Sequence, residues 1–284
     1  MKVAVGFFDG VHLGHQAILR GAEVALTFRN HPLTVLAPER APRLIMSFGQ
    51  RVELIRACGV REVRALDFTR ELAELSAESF AARYLATGDA SRPLAVRCGA
   101  NWRFGRGGAG DAAFLRARGV GVEVVPYAEY RGEPISSSRI RAALERGEIE
   151  GVNAMLGRRL EVGGEIFRGK GLGGKIGYPT VNLVLSDAPP VLPRGVYEVE
   201  VGGLRGVANY GLAPTMGEGA WREPVMEIHF PGAGSEDVRR ETGDGMRVAL
   251  VRYVRPERKF DSVTDLQRQI AADCASVAGA TPDR

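Results

Sequence analysis

Two of the chain's four histidines, His12 and His15, stand three residues apart around Gly14, directly after the first apolar run. At the start of a helix this spacing puts both imidazole rings on one face. Helix N-terminal N–H groups attract phosphate, and Gly14 lets a phosphate come close to the backbone. The pattern therefore indicates two hydrogen-bond donors for charge that develops on a phosphate chain. The alternative is that one or both rings cap the helix or pack inside it.

A second polar cluster begins with three serines, Ser136, Ser137 and Ser138, which precede a predicted helix. Arg139 and Arg141 follow in its first turn, where a cation is disfavoured by the helix dipole. A bound polyphosphate would compensate for that placement, so the segment indicates an anion site. The alternative is that the serines are ordinary N-caps and the arginines are solvated.

A third candidate is the segment 163–177, which carries seven glycines in fifteen residues. Backbone with so few side chains can wrap around phosphates with its N–H groups. No Gly-Lys-Ser/Thr sequence opens a helix here, so the segment is not a P-loop. Taken alone, such a loop is also typical of a flexible connection.

The first half of the chain alternates short β-rich runs with helical segments, which predicts βαβ units and a parallel sheet. Ser47 and Ser76 are predicted N-caps of helices that reach Cys58 and Ala86, with Gly59 and Gly88 as stops. A further helix is predicted near 112–118, and the first helix must end by about Gly21. The predicted strands are 3–7, 23–28, 93–99 and 121–127.

The second half changes character after Gly157 and consists of β-like segments divided by glycine and proline. Gly202-Gly203 predicts a hairpin turn. Glu198 and Glu200 alternate with apolar residues, as in a strand with one solvated face. Ser262 predicts the start of a last helix that runs to about Val277. We expect an antiparallel sheet or small barrel with a terminal helix and a domain boundary at 156/157. The predicted strands are 161–167, 180–185, 195–201, 204–210, 224–230 and 246–254.

Composition excludes several classes of protein. The 284 residues carry 38 basic and 34 acidic side chains, a net charge of +4, which is a weak footprint for nucleic acid. No apolar run approaches the roughly 20 residues of a membrane span, and no signal peptide is evident. Cys58, Cys98 and Cys274 have neither disulfide nor metal spacing. We expect a cytoplasmic protein without nucleic-acid or membrane partners, and the oligomeric state stays open.

The N-terminal motifs resemble the FMN adenylyltransferase half of bacterial bifunctional riboflavin kinase/FAD synthetases, an α/β, Rossmann-like nucleotidyltransferase domain with an HxGH signature. The segments that carry the resemblance, in chain order, are GFFDGVHLGHQ (6–16), FRNHP (28–32), APRL (41–44), CGANWRFG (98–105) and ISSSRIR (135–141).

The C-terminal motifs resemble the riboflavin kinase half of the same family, a mainly antiparallel β-barrel with a C-terminal helix. The segments are PTVN (179–182), GVY (195–197), NYGLAPT (209–215), EIH (227–229) and RPERKF (255–260). The resemblance therefore spans nearly the whole chain, with 1–156 as the adenylyltransferase domain and 157–284 as the kinase domain.

The resemblance implies two ATP sites, with riboflavin, FMN and FAD as substrates or products and Mg²⁺ held largely by substrate phosphates. The implied catalytic residues are His12, His15, Arg141 and, as general base, Glu227; His229 is expected to be structural. Oxygen ligands for Mg²⁺ come from Thr180 and Asn182. Nucleotide and flavin binding is implied for Gly6, Phe7, Asp9, Gly14, His31, Asn101, Arg103, Ser136, Ser137, Ser138, Arg139, Gly169, Lys175, Gly177, Asn209 and Arg255.

The chain departs from the family pattern in both halves. Only twelve residues separate His15 from Phe28, and Asn30 replaces a proline. In the kinase half, Gly174-Lys175 replaces Gly-Arg, Ala213 replaces an arginine, and the polar, glycine-rich segment 231–245 replaces the usual Asp-Phe and Leu-Tyr-Gly pieces. Three alternatives therefore stay open: an FAD synthetase with a weakened or inactive kinase half, a nucleotidyltransferase for another phosphorylated acceptor, and a non-catalytic flavin- or RNA-binding protein of the same fold.

Overall fold

The structure is a computed structural model that describes residues 1–85, 95–167, 172–186, 192–214, 222–233 and 245–278. The chain divides into two compact units, Met1–Ile140 and Arg141–Arg284. This division falls inside a helix, Ser137–Glu145. The domain boundary at 156/157 stays a prediction.

The first unit is built on a five-stranded parallel sheet, as the strand–helix alternation predicts. Its strand order is β3-β2-β1-β4-β5. This arrangement brings the carboxyl ends of the strands, where ligands bind in such sheets, to one edge. A short antiparallel pair, β6 and β7, follows the sheet. The strands are β1 Lys2–Val5, β2 Val24–Phe28, β3 Glu62–Leu66, β4 Ala95–Gly99, β5 Gly121–Val125, β6 Glu129–Tyr130 and β7 Glu133–Pro134.

The helices of the first unit begin where the sequence places N-caps. Ser47 and Gln50 form a complete capping box, and Ser76 accepts the N–H of Ser79. The first helix is short, as expected, and Arg97 donates to the carbonyl groups of its last turn. The predicted stop at Gly88 lies outside the described residues. The helices are α1 Leu13–Leu19, α2 Leu33–Leu36, α3 Phe48–Ala57, α4 Arg70–Ala73, α5 Ala77–Tyr84 and α6 Ala112–Arg116. Helix α7, Ser137–Glu145, begins in this unit and ends in the next.

The second unit is a closed antiparallel barrel with strand order β10-β11-β12-β9-β8-β13. Gly202 and Gly203 make the predicted two-residue turn between β10 and β11, with φ values of 54° and 87°. Ser262 caps the last helix by accepting the N–H of Asp265 at 3.1 Å. The elements are α8 Ile149–Leu156, β8 Leu160–Phe167, α9 Leu172–Lys175, β9 Val181–Leu185, β10 Gly195–Val201, β11 Leu204–Pro214, β12 Arg222–His229, β13 Gly245–Arg255 and α10 Val263–Ala278.

The last helix covers part of the outer face of the barrel. Val196 of β10 and Val207 of β11 pack there against Val277 of α10. The prediction of a solvated face for Glu198 is therefore wrong: its side chain is 1% exposed and forms ion pairs with Arg252 and Arg205. An alternating pattern shows which residues share a face, but a covering helix decides whether that face meets water.

Across the described residues, the helices are all too short or too polar to cross a lipid bilayer.

Candidate active sites

The turn that follows β1 has a backbone that few side chains adopt. Phe8 and Val11 have φ values of 58° and 39°, and Gly10 has 85°. Each non-glycine residue in such a conformation costs about 1–3 kcal/mol and persists only where its surroundings hold it. Phe8 and Val11 are 0% and 1% exposed, so packing holds this turn. Strain of this kind concentrates at functional sites.

His12 and His15 leave this turn as a stacked pair. Their ring centroids lie 3.6 Å apart with 19° between the planes. The Nδ1 atom of His12 accepts the backbone N–H of His15 at 3.3 Å, so His12 is the N-cap of α1. Because Nδ1 acts as an acceptor, the proton of the neutral His12 ring must be on Nε2. The alternative of a capping histidine is thus realised for His12, and capping leaves an N–H donor on the other side of its ring.

The His15 ring is held neutral. Burial, followed by the charges of His12 and Arg51, lowers its pKa well below the usual histidine value. Its Nδ1 atom is buried without a hydrogen-bond partner among the described residues.

Asp9 and Ser137 join the histidine turn to the serine segment. The Ser137 hydroxyl donates to the backbone carbonyl of Asp9 at 2.8 Å. The Asp9 carboxylate, 2% exposed, accepts the N–H of Ile45 at 3.0 Å. The hydrogen bond from Ser137 therefore joins the histidine motif to the serine–arginine motif. The Asp9 carboxylate is used differently, since it binds the backbone at Ile45. Gly14 lies against the His12 ring, where an added Cβ would stand 3.2 Å from Cε1.

The serine–arginine segment starts α7 as predicted, but its two arginines differ. Ser136 accepts the N–H of Arg139 at 3.2 Å. The Arg139 guanidinium donates to the carbonyl groups of Tyr130, Glu133 and Pro134, which ties it to the β6–β7 pair. Arg141 is half-buried and lies four residues after Ser137, on the same face of the helix.

Other predicted residues of the first unit lie around this turn. The Phe7 ring meets the His31 ring edge-on at 4.8 Å, and His31 Nδ1 accepts the N–H of Leu33. Asn30, which replaces the family's proline, exchanges two hydrogen bonds with the backbone of Phe68. The local loop is thus held by a side-chain amide. The phosphate or flavin contacts of these residues and of Gly6, Ser138, Asn101 and Arg103 stay predictions; the last three side chains are exposed.

Sequence reasoning missed Arg51, which is 1% exposed. Its guanidinium donates to the carbonyl groups of Phe7, Phe28 and Arg29 at 2.7–3.1 Å and lies 4.1 Å from the centroid of the Phe7 ring. Burial lowers its pKa to about 10, and the charge of Asp9 opposes that shift. The side chain therefore links the ends of β1 and β2 below the histidine turn. Its position on an apolar helix face was the available signal.

The second unit has a cavity of about 580 Å³ between the outer face of the barrel and α10. The strand register places three predicted side chains in a row: Asn182 of β9 pairs with Glu227 of β12, which pairs with Asn209 of β11. Glu227 and Asn209 line the cavity. Directly opposed residues of antiparallel strands point to the same face. On the same face, Arg255 of β13 stands opposite Val196 of β10.

Glu227 has the environment of a general base. Its carboxylate opens onto the cavity and is partly exposed there, and partial desolvation raises its pKa. A carboxylate with a raised pKa accepts a proton more readily near neutral pH. Two residues further along the strand, His229 donates from Nδ1 to the carbonyl of Pro179 at 2.9 Å.

Thr180 and Asn182 supply oxygen atoms at the edge of this row. Uncharged oxygen ligands fit Mg²⁺ that is carried mainly by phosphates. Within the described part of the chain, acidic, histidine and cysteine side chains nowhere gather in threes as a metal cage would require. The donor set therefore fits a cation that arrives with a nucleotide, with Thr180 and Asn182 as the protein's contribution.

The described end of the glycine-rich segment lies beside Thr180. A Cβ on Gly173 would stand 2.3 Å from the carbonyl oxygen of Tyr178, so only glycine fits. Lys175 and Gly177 are exposed, and Gly177 has a φ of 87°. Gly169 lies outside the described residues.

Arg255 reaches the cavity from β13. Its guanidinium forms a two-pronged pair with the Asp273 carboxylate of α10, with distances of 2.7 and 3.0 Å. Asp273 is 5% exposed, so the pair fixes both the arginine and the helix at the cavity wall.

Comparisons with known proteins fit this two-unit geometry. The sequence model of the FAD synthetase family matches residues 1–139, and that of the riboflavin kinase family matches residues 156–280.

Relatives described as bifunctional riboflavin kinase/FMN adenylyltransferase align over almost the entire chain. The Escherichia coli K12 protein is 32% identical over 95% of this chain and 90% of its own length. The Pseudomonas fluorescens protein is 33% identical over 96% of this chain and 90% of its own. The Bacillus subtilis 168 protein is 30% identical over 95% and 89%.

A solved structure described as a macrolide-efflux protein from Streptococcus pneumoniae has the same fold. It superposes with a TM-score of 0.84 at 29% identity and covers 99% of this chain and 94% of its own.

Proposed function

Because the chain belongs to the family of bifunctional riboflavin kinase/FMN adenylyltransferases, we propose that each unit carries out one of the two transfers that make FAD. The protein is a transferase whose substrates are ATP, riboflavin and FMN. In the barrel unit, riboflavin and ATP give FMN and ADP. In the sheet unit, FMN and a second ATP give FAD and pyrophosphate. The observation that carries the assignment is the pair of separate polar sites, one in each unit.

In the sheet unit the FMN phosphate is the nucleophile. One of its oxygens forms a bond to the α-phosphorus of ATP, and the bond from that phosphorus to the bridging oxygen breaks, which releases pyrophosphate. No protein nucleophile is needed, because the FMN phosphate is already an anion. The protein aligns the reactants and stabilises developing charge. His12 Nε2–H and the neutral His15 ring donate hydrogen bonds, while Ser137 and Arg141 approach from α7.

In the barrel unit Glu227 removes the proton from the 5′-hydroxyl of riboflavin. The hydroxyl oxygen then bonds to the γ-phosphorus of ATP as the bond to the bridging oxygen of ADP breaks. Asn182 and Asn209, on either side of Glu227 in the strand row, are placed to hold substrate oxygens around the base. Arg255, fixed by Asp273, supplies positive charge at the same wall.

Mg²⁺ belongs to the proposal through Thr180 and Asn182. When bound, the ion would neutralise phosphate charge on ATP. The protein's contribution is to present the Thr180 hydroxyl and the Asn182 amide oxygen toward the phosphates.

The strand row also argues against an inactive kinase half. A barrel that only binds flavin has no need of a carboxylate with a raised pKa between two amides. The side chain of Ala213 and residues 234–244, where the chain departs from the family, lie outside what the structure describes.

The direct test is to incubate purified protein with riboflavin, ATP and Mg²⁺ and to separate riboflavin, FMN and FAD by chromatography. We expect both FMN and FAD. FMN without FAD would contradict the assignment of the sheet unit. FAD from supplied FMN, but no product from riboflavin, would leave only the adenylyltransferase.

The predicted cytoplasmic, reducing compartment is also part of the proposal. It is supported by Cys58, Cys98 and Cys274, all of which are free thiols.

A further inference from the structure

His229 forms a side-chain hydrogen bond just beyond the point where the backbone pairing of β12 with β9 ends. The last paired residues of the two strands are Ile228 and Val181. Beyond them, the His229 ring donates from Nδ1 to the carbonyl of Pro179 at 2.9 Å. A carbonyl only accepts, so Nδ1 carries a proton in this contact. A side chain thus continues the strand pairing onto the turn that leads into Thr180.

The turn is also held from the other side. The Tyr178 ring meets the His229 ring edge-on at 5.3 Å. Tyr178 donates its backbone N–H to the carbonyl of Gly173 at 2.8 Å. The Pro179–Thr180 turn is therefore clamped between His229 and the end of the glycine-rich segment.

His229 and Glu227 are two residues apart on β12, so their side chains share a face. Both line the cavity together with Thr180. Strand β12 therefore carries both Glu227, the proposed base, and His229, which holds the turn that contains Thr180.

We propose that His229 is a positioning residue for the kinase reaction: through the Pro179 carbonyl it keeps the Thr180 hydroxyl directed at the nucleotide phosphates, in register with Glu227. This inference rests on the proposed kinase function of the cavity. In this role the ring acts through its Nδ1–H, which the Pro179 carbonyl accepts.

Two amide substitutions separate this role from others. The side-chain nitrogen of asparagine occupies the place of histidine Nδ1, whereas that of glutamine occupies the place of Nε2. His229→Asn should therefore keep the bond to Pro179, and His229→Gln should lose it. The two variants match in polarity and charge, so they differ mainly in which atom can donate.

The test measures the kinase reaction in the full-length protein with both variants. Loss of one hydrogen bond is worth about 1 kcal/mol, which is roughly a fivefold change. We expect His229→Gln to raise the KM for ATP about fivefold or more with little change in kcat, and His229→Asn to stay close to wild type. FMN adenylylation in the same samples serves as the internal control for intact protein.

A second readout needs neither metal nor turnover. Amide hydrogen exchange of segment 172–182 in the free protein should be faster in His229→Gln than in wild type and His229→Asn. Equal exchange and equal KM in both variants would overturn the inference. A large loss of kcat in both variants at unchanged KM would also overturn it, in favour of a catalytic histidine. A wild type that forms no FMN would refute the proposed kinase function instead, and the exchange measurement would still decide whether His229 clamps the turn.

Discussion

The Nδ1 atom of His12 accepts the backbone N–H of His15, and the two rings stack at 3.6 Å. The first histidine thereby starts the helix and orients the second. In the proposed adenylylation this arrangement places the N–H donors of two rings beside one phosphate chain. The cap uses only Nδ1 of His12, so it leaves Nε2 available for the proposed catalytic role.

Replacing His15 should separate the two activities. His15→Ala removes one donor to the phosphate chain, and loss of one such donor typically lowers kcat by about 10²–10³-fold. We expect FAD formation from FMN to fall by about that factor, while FMN formation from riboflavin is unchanged. Chromatography of both reactions in one preparation measures this, and equal loss of both activities would contradict the two-site account.

The kinase reaction should depend on the ionisation of Glu227. Burial raises the pKa of this carboxylate, and only its ionised form can accept the riboflavin proton. We expect kcat to fall as pH drops through that raised pKa, and Glu227→Gln to lower kcat by about 10²–10⁴-fold. A pH–rate profile checks both points, and a glutamine variant with wild-type kcat would exclude Glu227 as the base.

The raised pKa of Glu227 should also affect the stability of the fold. A carboxyl whose pKa is higher in the folded than in the unfolded protein favours unfolding once pH rises above the unfolded value. Glu227→Gln should therefore raise the melting temperature near pH 8 relative to wild type, and the difference should shrink toward pH 4. Calorimetric scans at the two pH values measure it. A melting temperature that is lower at pH 8 would contradict the sign.

Arg51 should be a major stabilising contact of the sheet unit. Lysine keeps the charge in Arg51→Lys but cannot donate to three carbonyl groups in the guanidinium geometry. Loss of a charged hydrogen bond costs about 1.5–3 kcal/mol, so we expect a fall of at least that size in the free energy of unfolding. Arg56→Lys, an exposed substitution on the same helix, is the matched control and should change little. Indistinguishable unfolding of the two variants would count against the role.

Asn153 should hold α8 to the barrel. Its amide donates to the Leu250 carbonyl at 2.9 Å and accepts the N–H of Leu160 at 2.8 Å. Asn153→Ala should lower the free energy of unfolding by about 1–3 kcal/mol. Asn153→Asp should keep the bond from Leu160 but set a carboxylate oxygen against the Leu250 carbonyl in place of the donor. Denaturant titration measures both.

A fragment from residue 157 should be less stable than one from residue 141; equal stability would support the predicted boundary at 156/157.

Local signals in the sequence were sufficient for much of the fold. The serine caps of α3 and α5 and the Gly202-Gly203 hairpin depend on neighbouring residues, which a single sequence shows. The elements missed have weak local signals. Strand β3 is an edge strand with charged Glu62 and Arg64, and the N-cap of α8, Glu148, makes no side-chain capping bond.

Long-range contacts account for what the sequence could not predict in the sites. The sequence motifs identified His12, Ser137 and Glu227 as candidate site residues, because residue type and spacing indicate the chemistry. The burial of Glu198 depends on α10, and the role of Arg51 depends on carbonyl groups more than twenty residues away. Neither set of partners can be read from the residues that neighbour Glu198 or Arg51 in the sequence.

The central claim is that two separate sites act in turn, with FMN passing from one to the other. The most direct measurement is FAD formation from riboflavin, ATP and Mg²⁺ by His15→Ala alone, by Glu227→Gln alone, and by a mixture of the two. The account predicts that each variant alone forms little or no FAD, that His15→Ala accumulates FMN, and that the mixture restores FAD. A mixture that stays as inactive as its components, with no FMN formed by His15→Ala, would contradict it.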